Sequence, residues 1–331
     1  MARNPRVTLH HVAAKAGVSI ATVSRALNGL TVAPENLERV QRAAAELGYV
    51  PNEAARSLRS DRTLALGLIF YELSTARGLE LLDALSATVE QAGYSLLIST
   101  ARGDPHNYDV LMRRFLERRV DGLFCIHPRG DGESLPRYAA AHVPVLTVSS
   151  RGPAFLGLPF IEPSLLEAAT ACGADLLRDG HTRIAWLDDG ETLVPTPAPS
   201  EAWDTGPFVM EAVRVADFTD MDHLLAALMA RADRPTVISA FEASANAFLT
   251  ACRSADVEVP GQLSVVSVRT LGDEDRDKAK RLSAMILDSG AVGQAAGVTM
   301  LKWLAGEPPP DTVRVEAGTW AARSTTGPLT R

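Results

Sequence analysis

Over the first fifty positions apolar residues recur at helical rather than alternating spacing. Leu9, Val12, Ala13 and Ala16 make one stripe. Thr8 precedes it as an N-cap, and Gly17 follows it where a glycine can take the left-handed conformation that ends a helix. A second helix starts almost at once, capped by Ser19. Val23 and Leu27 give its buried side, while Ile20, Ala21, Ser24, Arg25 and Asn28 fall on the opposite face. After Gly29 a third helix is expected from about Pro34, with proline at its first position, to Leu47, ended by Gly48. Its Leu37, Val40, Ala44 and Leu47 should close a three-helix core with Val12, Val23 and Leu27. So small a core is marginal alone.

Pro51 to Ser60 has a different texture. Asn52 can cap a short helix in which Ala55 and Leu58 share a face, but one and a half apolar turns do not overcome the cost of helix nucleation in water. The segment should order only against a partner. From Thr63 onward apolar strands alternate with amphipathic helices. Strands are expected near residues 64 to 70, 94 to 99, 122 to 127, 144 to 148, 183 to 188, 236 to 240, 263 to 268 and 283 to 287. Helices are expected near 79 to 92, 108 to 119, 164 to 178, 221 to 231, 243 to 255 and 290 to 305. That alternation argues for parallel doubly wound sheets, and more than about seven such units argue for two of them with a cleft between.

Charge sharpens the picture. Residues 1 to 62 carry nine Lys or Arg against five Asp or Glu, and the remainder carries 24 against 35, so the overall charge of -7 hides a basic head on an acidic body. The first acidic residue is Glu35, which leaves Arg3, Arg6, Lys15 and Arg25 in an unopposed positive field. Two short helices with a tight turn, a small polar outer face and this charge are what a helix-turn-helix needs, since the start of its second helix enters the DNA major groove. Ile20 and Ala21 can meet thymine methyls; Arg25 can pair with guanine O6 and N7 or hold a phosphate.

Other chemistry is not signalled. The sequence holds no CxxC, HExxH, GxxxxGK[ST] or GxSxG pattern, and adjacent His10 and His11 point apart on a helix, so neither an enzyme, a metal site nor a cofactor is expected. Cys125, Cys172 and Cys252 are far apart, odd in number and set in apolar sequence, which reads as reduced core thiols. The 331 residues, 46% hydrophobic, can fill two or three domains. With no apolar leader and no run of ~18 apolar residues, a cytoplasmic protein without a membrane span is expected.

The run VTLHHVAAKAGVSIATVSRALNG, followed by VQRAAAELGYVPNEAARSLRS, resembles the N-terminal module of the lactose-repressor (LacI/GalR) family of bacterial transcription regulators. The match is dense over residues 6 to 62 and continues at lower density to about Arg323. The resemblance implies an N-terminal all-α helix-turn-helix head plus hinge helix, followed by an α/β periplasmic-binding-protein-like core of two doubly wound parallel-sheet lobes. The head would span 1–50, the hinge 51–61 and the core 62–323, with a tail at 324–331. Lobe 1 would take about 62–160 and 288–316, lobe 2 about 161–287 and 317–323, with crossings near 160, 288 and 316.

It further implies a homodimeric repressor on palindromic double-stranded operator DNA. Ile20, Ala21 and Arg25 would read bases, while Thr8, Ser19, Thr22, Ser24, Asn28 and Tyr49 would contact the backbone. Asn52 would cap the hinge, Ala55 would touch the minor groove, and Leu58 would wedge the central step apart. The tail STTGPLTR lacks heptads, so a dimer is expected rather than a coiled-coil-joined tetramer.

The core departs from its family at the cleft. Sugar-binding members usually carry an aspartate where this chain has Ser149 and Ser150, an Asn-Asp pair where it has Phe241 and Glu242, and a Gly-Phe-Asp-Asp run where it reads Ser267, Val268, Arg269, Thr270. An Asn-Pro-Phe-Phe type run is replaced by Ser74, Thr75, Ala76, Arg77. The arginine-bearing helix after Asp189 is replaced by the proline-rich ETLVPTPAPSEAWDTGP. Carboxylates and amides accept several sugar hydroxyls at once, so their loss removes the chemistry for a neutral hexose. Three readings remain open: an anionic or partly apolar effector held by Arg269, Ser149, Tyr71 and Phe241, with Ser74 nearby; a carbohydrate accepted by Glu162 and Glu242; or no effector, with the lobes serving as a dimerisation or protein-binding body. A rival of another class is a DNA-independent small-molecule binding protein.

Overall fold

The computed structural model describes residues 7–27, 31–49, 62–73, 76–128, 132–148, 157–188, 207–270 and 281–329. The chain divides into two compact units, Met1–Thr63 and Leu64–Arg331. In the first, helices α1 (Leu9–Ala16), α2 (Ile20–Leu27) and α3 (Pro34–Leu47) enclose Val12, Ala13, Ala16, Val23, Ala26, Val40, Ala43 and Ala44. Leu27, Leu37 and Leu47 are only half-buried against that core, and alanines take the space between the helices.

The second unit opens with β1 (Ala65–Phe70), α4 (Ala76–Gln91), β2 (Ser95–Thr100), α5 (Pro105–Glu117), β3 (Gly122–Ile126), α6 (Leu135–Ala140), β4 (Val145–Val148) and β5 (Phe160–Ser164). It continues with α7 (Leu166–Arg178), β6 (Arg183–Asp188), β7 (Val209–Arg214), α8 (Met221–Met229), β8 (Val237–Phe241), α9 (Glu242–Ser254) and β9 (Ser264–Thr270). The last elements are β10 (Ser283–Leu287), α10 (Ser289–Leu304), β11 (Thr312–Glu316) and β12 (Gly318–Ala321).

Among the described residues these strands form two six-stranded sheets, ordered β11-β5-β4-β3-β1-β2 and β12-β10-β9-β8-β6-β7. Every pairing is parallel except β10 with β12, an antiparallel departure from the parallel sheets expected of the sequence. The first sheet is buried on both faces, Leu66, Leu68 and Phe70 on one side and Ile69, Leu123 and Cys125 on the other, which is why its strands read as continuous apolar runs.

β5, β7, β11, β12 and the short α6 were not anticipated. Three of the four strands are sheet edges with alternating exposure, and β5 carries Glu162 and Pro163 within a fully buried strand. Because β5 pairs with β4 and β11, the first passage between sheets falls after Ser164 rather than near 160. The others fall at Asp288 and Ala317. The three passages lie side by side: Ala317 N donates to Ser164 O at 3.0 Å and Asp288 N to Ala317 O at 2.8 Å.

Candidate nucleic-acid interface

The turn between α1 and α2 is fixed from both sides. Gly17 sits at φ 63° and its N–H bonds Ala13 O. Arg39 of α3 donates to Gly17 O at 3.3 Å, and a Cβ at Gly17 would meet its guanidinium at 2.6 Å. The left-handed backbone favours glycine here, while the Arg39 side chain could swing aside from a Cβ. Thr8 is the N-cap of α1, in extended conformation, and its N–H is accepted by His11 Nδ1 at 3.2 Å. His11 is therefore a capping partner, a role the sequence reading missed; a histidine three residues after a threonine was the available signal.

Ser19 caps α2 as expected: its Oγ accepts from Thr22 N at 3.1 Å and lies 2.9 Å from Thr22 Oγ1. The cap holds the first turn of α2, and the helix dipole adds partial positive charge at that end. Val23 and Ala26 are buried beneath it. On the other side Ile20 is 40% exposed, Ala21 and Arg25 are exposed, and Ser24 and Thr22 are half-buried. A branched apolar side chain left this open at a helix start adds little to the head core, which Val23 and Ala26 supply from this helix. Tyr49 packs half-buried against the head core.

Lys15 Nζ lies 2.7 Å from Glu46 Oε2, so α3 answers one cation expected to be unopposed, and Lys15 in turn holds the Glu46 carboxyl below its usual range. Asn28, Asn52, Ala55 and Leu58 lie outside the described residues, as do Ser74 and Ser149 of the effector set.

The remaining effector candidates separate. Phe241 ends β8, Glu242 starts α9, and Arg269 is the penultimate residue of β9, so the β8–β9 register brings all three to the carboxyl edge of the second sheet. Arg269 is 2% exposed, an unusual burial for a guanidinium. Trp186 of β6 joins them, its ring meeting Phe241 edge to face at 5.4 Å; it was missed because it sits in an apolar run. Tyr71 follows β1 at the same edge of the first sheet, where its hydroxyl donates to Gly103 O at 2.5 Å. Glu162 does not join them. It lies mid-strand in β5, 6% exposed, with Oε2 accepting from Arg314 Nε at 2.8 Å.

Residues 8–52 match the bacterial regulatory proteins of the lacI family, and residues 193–326 match a periplasmic binding protein-like domain. The chain therefore carries a lacI-type DNA-binding module followed by a periplasmic binding protein-like domain. The maltose regulon regulatory protein MalI of Escherichia coli K12 is 32% identical over 188 residues, an alignment that takes in 56% of this chain and about half, 55%, of MalI. The transcriptional regulator GntR of Pseudomonas aeruginosa is 29% identical over 91% of this chain and 90% of its own.

The fold of the lac repressor dimer bound to operator and the anti-inducer ONPF superposes with a TM-score of 0.80, at 23% identity, over 97% of this chain and 99% of that one. The head thus carries the helix-turn-helix, and the core the two sheets of that fold. The relatives MalI and GntR are regulators, not enzymes. Among the described residues no His, Cys, Asp or Glu cluster is placed to hold a metal, and no helix is long and apolar enough to cross a membrane.

Proposed function

We propose that the protein is a cytoplasmic, homodimeric repressor of transcription that reads a palindromic operator through Ile20, Ala21 and Arg25. The single observation that carries this reading is the face of α2: a capped first turn with Ile20, Ala21 and Arg25 outward and Val23 and Ala26 inward. Thr8, Ser19, Thr22, Ser24, Asn28 and Tyr49 position that face on phosphates, and the segment with Asn52, Ala55 and Leu58 orders on the minor groove. Residues 1–50, 51–61 and 62–323 act as head, hinge and effector-binding body. Selection of bound sequences from a random duplex pool tests it. Recovery of a two-fold symmetric site supports the reading; a pool that stays random overturns it. Leu58→Ala should then weaken specific binding far more than non-specific binding.

The effector is a small molecule held at the carboxyl edges of the two sheets, anionic or partly apolar rather than a neutral hexose. Glu162, one of two carboxylates offered for a carbohydrate, is already engaged by Arg314. Phe241 beside Trp186, with Arg269 at the next strand end, offers aromatic surface and a cation. Closure of the lobes on that molecule shifts the population of hinges able to order on DNA. A thermal-shift screen against sugars, sugar acids, nucleobases and aromatic acids tests this: a ligand at ~100 times its dissociation constant adds about 2.7 kcal/mol. Stabilisation by neutral hexoses alone overturns the class.

A further inference from the structure

At the far end of the second sheet from Phe241 and Arg269, where β9 and β10 begin, lies a pocket of about 680 Å³. That volume suits a small molecule. Asn246, Leu249 and Arg253 reach it from one face of α9, at three- and four-residue spacing. Val257 and Val259 line it from the loop after α9, and Arg281 and Leu282 from the residues before β10.

The remaining wall is the segment Ser324–Thr325, which is firmly tied. Thr325 Oγ1 donates to Val265 O at 2.7 Å and accepts from Ser283 N at 2.8 Å, Val265 N donates to Thr325 O at 2.8 Å, and Ser324 Oγ donates to Arg281 O at 2.9 Å. That wall is therefore held by its own hydrogen bonds, so little ordering of it opposes binding.

Its chemistry is one-sided. Among the described residues Arg253 and Arg281 both line it, no carboxylate does, and neither arginine is in an ion pair, whereas Arg183, Arg231 and Arg314 are. Burial pushes the Cys252 thiol up to about 11, so it adds no negative charge. Arg253 Nη2 donates to Thr250 Oγ1 at 3.0 Å, a neutral partner that leaves its charge unbalanced, so two guanidiniums on a body with eleven more acidic than basic residues mark a local exception to its field. Leu249, Val257, Val259 and Leu282 supply an apolar floor. We propose that this pocket is a second small-molecule site, separate from the effector edge, that takes an organic anion with an apolar body.

The test is a fluorescence titration of the full chain with anilinonaphthalene sulfonate, whose sulfonate and aryl rings present both features. The expected result is one saturable component that octanoate displaces and inorganic phosphate at equal concentration does not, with Arg253→Gln/Arg281→Gln weakening it at least ~10-fold. Both side chains are exposed, so the double variant keeps its fold. Equal dye affinity in the double variant overturns the proposal, and so does displacement by phosphate alone. A double variant that falls from dimer to monomer in sedimentation with dye binding unchanged assigns the face to a second copy of the chain and overturns it as well.

Discussion

A Cβ placed on Gly293 would lie 2.3 Å from the carbonyl oxygen of Leu81. The contact is with backbone, which cannot rotate aside, so α10 approaches α4 this closely only because position 293 has no side chain. One turn later a Cβ on Gly297 would meet the Thr88 side chain, 2.8 Å from Cγ2. Gly293→Ala should therefore destabilise the core by about 1–3 kcal/mol, against the usual gain of replacing a helical glycine with alanine. A lower urea midpoint is expected; an unchanged or raised one would show that the helices separate without cost.

His181 ties the C-terminal segment to the second sheet. Its Nε2 lies 3.0 Å from Gly327 O, which can only accept, so Nε2 carries the proton; Ser264 Oγ is also 3.0 Å away. Nδ1 is buried with no hydrogen-bond partner among the described residues, so a second proton would be held there without an acceptor, and burial pulls the group below its ordinary 6.5. The unfolded chain then binds a proton before the folded one does. This contribution is complete above about pH 6.5 and is lost as pH falls from there through the lower folded value. Between about pH 7.5 and 5.5 the wild type should lose more stability in urea than His181→Gln. Equal losses would remove His181 from the account.

The parts of the fold that could be read in the sequence are those whose burial is complete or one-faced. β3 (GLFCI) and β8 (VISAF) are buried along their whole length, and α2 shows its face through Val23 and Ala26. β7 and β11 could not be read because they turn polar residues outward at sheet edges and so show no continuous apolar run. β5 could not be read for a different reason: Glu162 is tolerated inside it only because Arg314, far along the chain, arrives from β11. For the same reason Glu162 was assigned to the effector set. A charge that looks orphaned in sequence is often matched by a strand neighbour that local patterning cannot supply. Phe241, Glu242 and Arg269 were legible as a group because strand ends converge in a parallel sheet, whereas Trp186 resembled core.

The Glu162–Arg314 pair gives a prediction that separates structure from binding. Arg314→Ala leaves a carboxylate that is 6% exposed without its cation. Arg314 itself is about half exposed, so solvent screens part of the loss, and about 1–3 kcal/mol is expected rather than the larger cost of a fully buried pair. Adding Glu162→Gln should recover most of it. Glu162→Gln alone should leave effector affinity unchanged; a tenfold loss of affinity at intact stability would return Glu162 to the effector site.

Arg25 can serve either of two roles on DNA, and their salt dependence differs. A guanidinium paired with a guanine edge gives sequence discrimination of about 1–3 kcal/mol, so Arg25→Gln would weaken the selected operator much more than random duplex and relax the preference at one base pair in each half-site. A guanidinium on phosphate would weaken both duplexes alike and lower the slope of log affinity against log salt by about 1. Arg25 lies on the exposed side of α2 with Ile20 and Ala21, one turn beyond Ala21, on the face proposed to meet the bases. Base contact is therefore the expected outcome. Ile20→Asn, on a side chain that is 40% exposed, should alter base preference with the head's melting temperature unchanged. Val23→Asn, at a position with no exposure, should unfold the head and abolish specific and random binding together. If Ile20→Asn leaves both preference and affinity as they were, the first turn of α2 is not what reads the operator.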